Sequence, residues 1–464
     1  MSRTASEPTP IASHSSPKDV RRVVLSSYLG STVEYYDFIL YATASSLVFG
    51  PVFFSNLPSG AALIASYATF AIGYLARPLG GVIFGHFGDK IGRKKMLLLS
   101  MTIMGVASFL IGLVPEIPTW GALFLILLRA AQGVAIGGEW AGAALMSLEH
   151  AQDGKRGFAA GFTNAGAPTG AVLGTIALSV AALLPEDDFL SWGWRIPFLL
   201  SAVLVVVGLF VRARVAESPV FLAALRKAED EKTQRRADAI PVVQVLRRPK
   251  VVIVAGLACT GSFVMQALFS TFMLAYASDN GVSSSAALTA FAIASFFAIF
   301  GILAAARLSD RFGRKPVMLA GLVGMAVLAW PLLILASSGS FVLVVCSFVI
   351  ASSVLHALTF GPMPAFLAEQ FGTRARYTGA SLGNQIGSLL GAGFTPMIAA
   401  TLFASAGGAN SVALYLIASC VISAVVLVFF VGETRFTDLE PHSRQEYGVE
   451  NPQTLTELSD PGNS

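Results

Sequence analysis

Glu34, Asp37, Arg77, Arg129 and Glu139 each stand inside a long apolar stretch of a 464-residue chain. An isolated charge at the centre of a membrane-spanning helix costs at least about 2.5–3.5 kcal/mol, so each of these groups requires a partner or a water-filled cavity. Glu34 and Asp37 are three positions apart and share a helix face. Three carboxylates against two guanidiniums leave the ionised set at −1, and one proton neutralises it. A carboxylate in such a set can exchange protons between compartments as an Arg contact makes and breaks. The alternative is a permanent set of ion pairs that locks the helices together.

The elements that position these groups follow from composition. Hydrophobic residues make up 55% of the chain and charged residues 12%, and the mean hydropathy is +0.70, so water is not the main solvent of the fold. Apolar runs of about 20 residues recur, long enough to cross a bilayer as helices; the short alternating segments of a β-barrel are missing. Twelve spans are predicted, near 23–49, 61–85, 96–114, 119–146, 157–184, 194–212, 251–277, 286–306, 316–336, 340–367, 377–404 and 409–432. Of the 31 Lys and Arg, 28 fall in the terminal tails or in alternate loops with their helix ends, and the charged residues of the intervening loops are acids such as Glu116, Glu186 and Asp279. Basic loops mark the cytoplasmic side, which places both termini there. The basic balance is therefore a topology signal, with no nucleic-acid partner implied. Cys259, Cys346 and Cys420 lie within spans at no metal-ligand spacing and read as apolar packing residues.

Helix rise sets the depths. Fifteen residues from Arg22 to Asp37 cover about 22 Å, and ten from Thr119 to Arg129 about 15 Å from the opposite side. An Asp37–Arg129 pair between spans 1 and 4 is thus allowed. Arg77 lies 12 residues before Asp89, near mid-membrane, where it can hold a substrate carboxylate bidentately or pair with Glu34 or Asp37. Glu139 falls nearer the cytoplasm and reads as a gate residue. Tyr35, Tyr36, Tyr41, Asn164, Gln266, Tyr276, His356, Asn384 and Gln385 are neutral polar candidates for lining a central cavity, each with interhelical packing as the alternative. The second half has no mid-span charge, so proton handling belongs to the first.

The chain divides into a disordered cytoplasmic tail (1–21), a six-helix half (22–212), a charged linker (213–250), a second half (251–432) and a C-terminal tail (433–464). The start of the first tail is rich in Ser, Thr and Pro and reads as disordered rather than as a cleavable signal. Symmetry across the linker is visible: Asp89-Lys90-Ile91-Gly92-Arg93-Lys94 after span 2 matches Asp310-Arg311-Phe312-Gly313-Arg314-Lys315 after span 8. Positive-inside anchoring accounts for the basic residues but not for the Asp. An Asp beside a glycine turn can hold an Arg or a helix N-terminus across the boundary between halves, as a breakable latch. Spans 5 and 11 echo each other in closely spaced Gly, which permits close helix approach.

With these motifs the sequence resembles the major facilitator superfamily, whose G-x-x-x-D-[RK]-x-G-R-[RK]-[RK] loop is met by Gly85 through Lys95. Glu34 to Phe38, Ala76 to Gly81, Arg129 to Gly133, Gly137 to Trp140, Glu217-Ser218-Pro219 and Arg376 to Ser381 look like the metabolite:proton symporter family within it. The resemblance covers about residues 22–436. It implies an all-α fold of twelve helices in two pseudo-symmetric halves, in the plasma (inner) membrane, working as a monomer by alternating access without a cofactor or metal. By resemblance to proton-coupled sugar porters, Asp37 and Arg129, with Glu34 beside them, are the expected coupling groups. The family cavity is lined by spans 1, 4, 7 and 10, which favours Tyr36, Tyr41, Gln266, Tyr276 and His356. Asp89, Gly92, Arg93, Asp310 and Arg314 would close the cytoplasmic side. The partners expected are a proton, the lipid bilayer and a small polar solute, an organic carboxylate or shikimate-like hydroxy acid; a proline- or betaine-type zwitterion is the alternative. A receptor or membrane enzyme is the rival class, against which the chain offers no nucleotide loop, nucleophile elbow, metal motif or large soluble domain.

Overall fold

The computed structural model describes residues 17–152, 154–218, 221–222, 245, 249–373, 375–404 and 408–435. Almost all of the predicted tails, 1–21 and 433–464, and most of the linker at 213–250 lie outside the described residues. The described chain is built from twelve long helices: α1 (Pro17–Leu47), α2 (Ser59–Ile91), α3 (Arg93–Ile111), α4 (Pro118–His150), α5 (Arg156–Ala181), α6 (Arg195–Ala213), α7 (Pro249–Asp279), α8 (Ser284–Phe312), α9 (Arg314–Ala336), α10 (Phe341–Glu369), α11 (Arg376–Ala404) and α12 (Gly408–Phe430). Ten are long and apolar enough to cross a membrane; α1 and α5, with 31 and 26 residues, have the length but not the apolar composition. The reason is their placement. They pack on each other, and a Cβ at Gly166 or Gly170 of α5 would meet the α1 backbone. Small and polar residues there replace the apolar ones that lipid would demand.

Within the first half α1 packs on α5, α2 on α4, and α3 between α4 and α6; within the second, α7 packs on α11 and α12, α8 on α10, and α9 on α12. The halves meet chiefly through α5 with α8 and α2 with α11. Large apolar side chains such as Ile64, Leu75, Val206, Val327 and Phe429 cover the outside, as a lipid-facing surface requires. Cys259 and Cys420 are packed inside, but Cys346 is exposed on that outer surface rather than being a packing residue.

The basic turns are tighter than the sequence suggests. Helix α2 continues to Ile91, so Asp89 sits in its last turn rather than in a loop, and one residue, Gly92 at φ +112°, separates α2 from α3. Gly313 at φ +103° does the same between α8 and α9. Only glycine takes this backbone without strain. Widened π-helical turns interrupt α7 at Leu268–Phe272, α10 at Val349–His356 and α11 at Leu389–Gly393. Such turns occur frequently at functional sites, and here the first lies two residues after Gln266 and the second contains His356.

Candidate functional site

Asp37 and Arg129 do not pair directly. Ser108 Oγ of α3 donates to Asp37 Oδ2 at 2.5 Å, Gln132 Nε2 of α4 donates to Ser108 Oγ at 2.7 Å, and Arg129 Nη1 donates to Gln132 Oε1 at 3.1 Å. The expected ion pair is thus stretched across two neutral groups, because Ser108 occupies the place next to the carboxylate. All four side chains are at most 1% exposed. Arg129 lies over the rings of Tyr41 at 4.3 Å, Phe70 at 5.0 Å and Phe38 at 5.7 Å, a cation–π cage in place of a carboxylate. The cage fits because α2 carries Gly73: a Cβ there would lie 2.6 Å from Arg129 Nε. Among the described residues, Asp37 Oδ1 has no hydrogen-bond partner.

A second group lies where the halves face each other. Arg77 is half-buried, 4.2 Å over the Tyr74 ring and 5.4 Å from that of Phe38, and among the described residues its Nε has no hydrogen-bond partner. It makes no ion pair with Glu34 or Asp37, so the partner role weighed for it is not met. Glu34 is buried with Oε2 unpartnered, within electrostatic reach of Arg77. Tyr35 faces Gln266 from the other half. His356 stacks on Phe360 at 4.8 Å, and among the described residues its Nε2 and the buried Asn384 Oδ1 have no hydrogen-bond partner. Unpaired polar atoms in a low-dielectric interior are costly unless water or a ligand meets them.

Other cavity candidates are already bonded to the protein. Tyr36 turns its hydroxyl away, to the Pro197 carbonyl at 2.9 Å, and Tyr41 donates to Thr69 at 2.8 Å beneath Arg129. Asn164 accepts from Trp140 Nε1 at 2.7 Å and donates to the Phe360 carbonyl at 2.6 Å, tying α5 to α10. Gln385 donates to the Gly137 carbonyl at 3.0 Å, tying α11 to α4. Tyr276 stacks on Phe272 and meets Phe403 edge-on, both within 6 Å. Glu139 pairs with Arg212 of its own half at 2.7 Å, and Ser100 adds a hydrogen bond.

At the basic face the two motif copies do the same work on opposite halves. Asp89 accepts from the backbone N–H groups of Tyr377 at 3.2 Å and Thr378 at 3.0 Å and from the Thr378 hydroxyl at 2.9 Å, at the N-terminus of α11. Asp310 accepts from Gly157 and Phe158 at 2.8 Å each, at the N-terminus of α5. Arg93 pairs with Glu149 at 3.1 Å, and Arg376 reaches the same carboxylate across the boundary at 3.4 Å. Arg314 bridges Asp310 at 2.7 Å and Glu369 at 3.0 Å. Glu217 accepts from the first N–H groups of α3, and Glu433 from those of α9. In the sequence, Glu149 and Glu369 are marked only by ending spans 4 and 10 at matching places, and Glu217-Ser218 is echoed by Glu433-Thr434.

Comparison with known proteins places this architecture. The Major Facilitator Superfamily model matches residues 28–392. The shikimate transporter of Escherichia coli (strain K12) is 38% identical over 428 residues, covering 89% of this chain and 95% of that protein. The proline/betaine transporter of the same organism is 33% identical over 423 residues, covering 88% and 82%. Among solved structures, the proton:xylose symporter XylE bound to 6-bromo-6-deoxy-D-glucose superposes with a TM-score of 0.75 at 19% identity, over 91% of this chain and 98% of that one. That likeness concerns the fold.

Proposed function

This chain belongs to the major facilitator superfamily, and from that premise we propose that it is a proton-coupled symporter, importing a small organic carboxylate by alternating access. One observation carries the reading: a fully buried carboxylate, Asp37, has one oxygen with no hydrogen-bond partner among the described residues and is linked through hydrogen bonds to a buried guanidinium, near a second guanidinium, Arg77, that makes no ion pair among the described residues. Asp37 takes the proton. Arg77 takes the substrate carboxylate in the bidentate geometry that guanidinium favours, with Tyr35, Gln266, His356 and Asn384 orienting the remainder. The halves rock about this midplane site, and the Asp89 and Asp310 contacts hold the basic, cytoplasmic face closed while the outer face admits substrate. The likeness to relatives named for shikimate and for proline/betaine transport supports a small polar substrate of this kind.

The test is uptake into proteoliposomes of labelled shikimate, α-ketoglutarate and glycine betaine, with and without an imposed ΔpH. An acid is expected to accumulate only with the gradient. Accumulation of glycine betaine alone transfers the reading to a zwitterion carrier. Asp37→Asn is expected to lose accumulation while retaining exchange; a variant that concentrates substrate like the parent refutes the role given to Asp37.

A further inference from the structure

We infer that Ser108 and Gln132 are positioning residues of the coupling step, passing the ionisation state of Asp37 to Arg129 without contact between the two charges. The inference rests on Asp37 being the proton carrier. The four groups form an unbranched chain from three helices, α1, α3 and α4, and every donor in it points the same way: guanidinium to amide oxygen, amide nitrogen to hydroxyl, hydroxyl to carboxylate. Bonds aligned head to tail polarise one another, and an anion at one end and a cation at the other maximise the effect. Neither neutral member has another side-chain partner among the described residues, so the chain has no competing outlet. Arg129 otherwise lies over the rings of Tyr41, Phe70 and Phe38.

A proton binding at Asp37 Oδ1, the oxygen without a partner, turns Oδ2 into a neutral carbonyl oxygen. Ser108 then donates to a weaker acceptor, its oxygen draws less on Gln132, and the amide oxygen holds Arg129 less firmly. The guanidinium is then free to leave the amide. Release of the proton restores the chain. No bond other than the O–H of Asp37 forms or breaks.

Two variants, Ser108→Ala and Gln132→Leu, are compared with Asp37→Asn in the same proteoliposomes, using labelled shikimate, α-ketoglutarate and glycine betaine in parallel. Each is expected to lower ΔpH-driven accumulation at least tenfold while exchange falls less than threefold, and Ser108→Thr, which keeps the hydroxyl, restores accumulation. Adding Ser108→Ala to Asp37→Asn changes nothing further. A substrate-free readout accompanies these: the infrared carbonyl band of protonated Asp37, identified by its loss in Asp37→Asn, is expected to move in Gln132→Leu as well as in Ser108→Ala. Normal accumulation in Ser108→Ala overturns the inference, as does a band that ignores Gln132. Equal loss of exchange and accumulation, with a lowered Tm and no rescue by Thr, shows Ser108 to be structural only and also overturns it. Failure of the underlying reading is recognised separately, by Asp37→Asn accumulating like the parent.

Discussion

Replacing Arg77 by Lys keeps the charge and removes the planar fork. If Arg77 holds a carboxylate through two parallel bonds, the loss of one charge-assisted bond, about 1.5 kcal/mol, raises the KM for the acid roughly tenfold. Uptake kinetics of Arg77→Lys check this, and an unchanged KM removes Arg77 from the binding site. Glu139 asks for a different experiment. With Arg212 only 3% exposed and its carboxylate partner wholly buried, Glu139→Gln leaves a buried guanidinium without its counter-ion, a loss of about 3–5 kcal/mol. The melting temperature in detergent is expected to fall steeply, and the joint replacement of Glu139 and Arg212 by Met is expected to recover most of it. Gly30 of α1 belongs to the same arrangement, because a side chain there would collide with the Arg212 guanidinium.

At the scale of the helix, what must fit is the backbone spacing around each charge. Helix α2 approaches α4 so closely that a Cβ on Gly133 would meet the Gly73 carbonyl, and Gly73 itself makes room for Arg129. In Gly73→Ala the new methyl lies 2.6 Å from Nε and 3.2 Å from Cδ and Cζ, so the guanidinium must leave its cage or the helices must part, at about 1–3 kcal/mol. Coupled accumulation in Gly73→Ala is expected to drop with a modest loss of Tm, whereas Gly154→Ala, where a Cβ meets nothing, tests only backbone strain at a surface turn. The twelve helices were legible because apolar run length and the side taken by Lys and Arg are both read directly from sequence. Helix ends were not: nothing in Gly85 to Lys95 says that the helix runs on to Ile91, since a polar last turn and a loop have the same composition. Nor do π-helical turns have a compositional signature. Asp37 and Arg129 were legible as costly charges at similar depth, but Ser108 reads as one span serine among many. A hydroxyl between two charges is a property of packing, which spacing along one helix does not encode.

Across the whole molecule, the internal repeat is turned into a pair of reciprocal clasps. Asp89 of the first half caps α11 of the second, and Asp310 of the second half caps α5 of the first. Each carboxylate meets N–H groups at a helix N-terminus, where the partial positive charge of the helix end adds to the hydrogen bonds. Both sit on the basic face, so under the proposed rocking they would break together when that side opens, and the Glu149 link between Arg93 and Arg376 would break with them. Asparagine at either position keeps one acceptor and discards the charge. With roughly 2–3 kcal/mol lost, the balance between the closed and open states of this face shifts by about 30- to 150-fold. Spin labels on the basic ends of α2 and α11 are expected to report a longer mean distance in Asp89→Asn and in Asp310→Asn than in the parent. Because one rocking motion breaks both clasps, the double variant is expected to add little once the open state already predominates. A distance distribution left unchanged by Asp89→Asn means that the face is held shut by the remaining contacts, with Glu149 and Tyr377 the first to test, and that the repeated Asp serves its own turn instead of the boundary between halves.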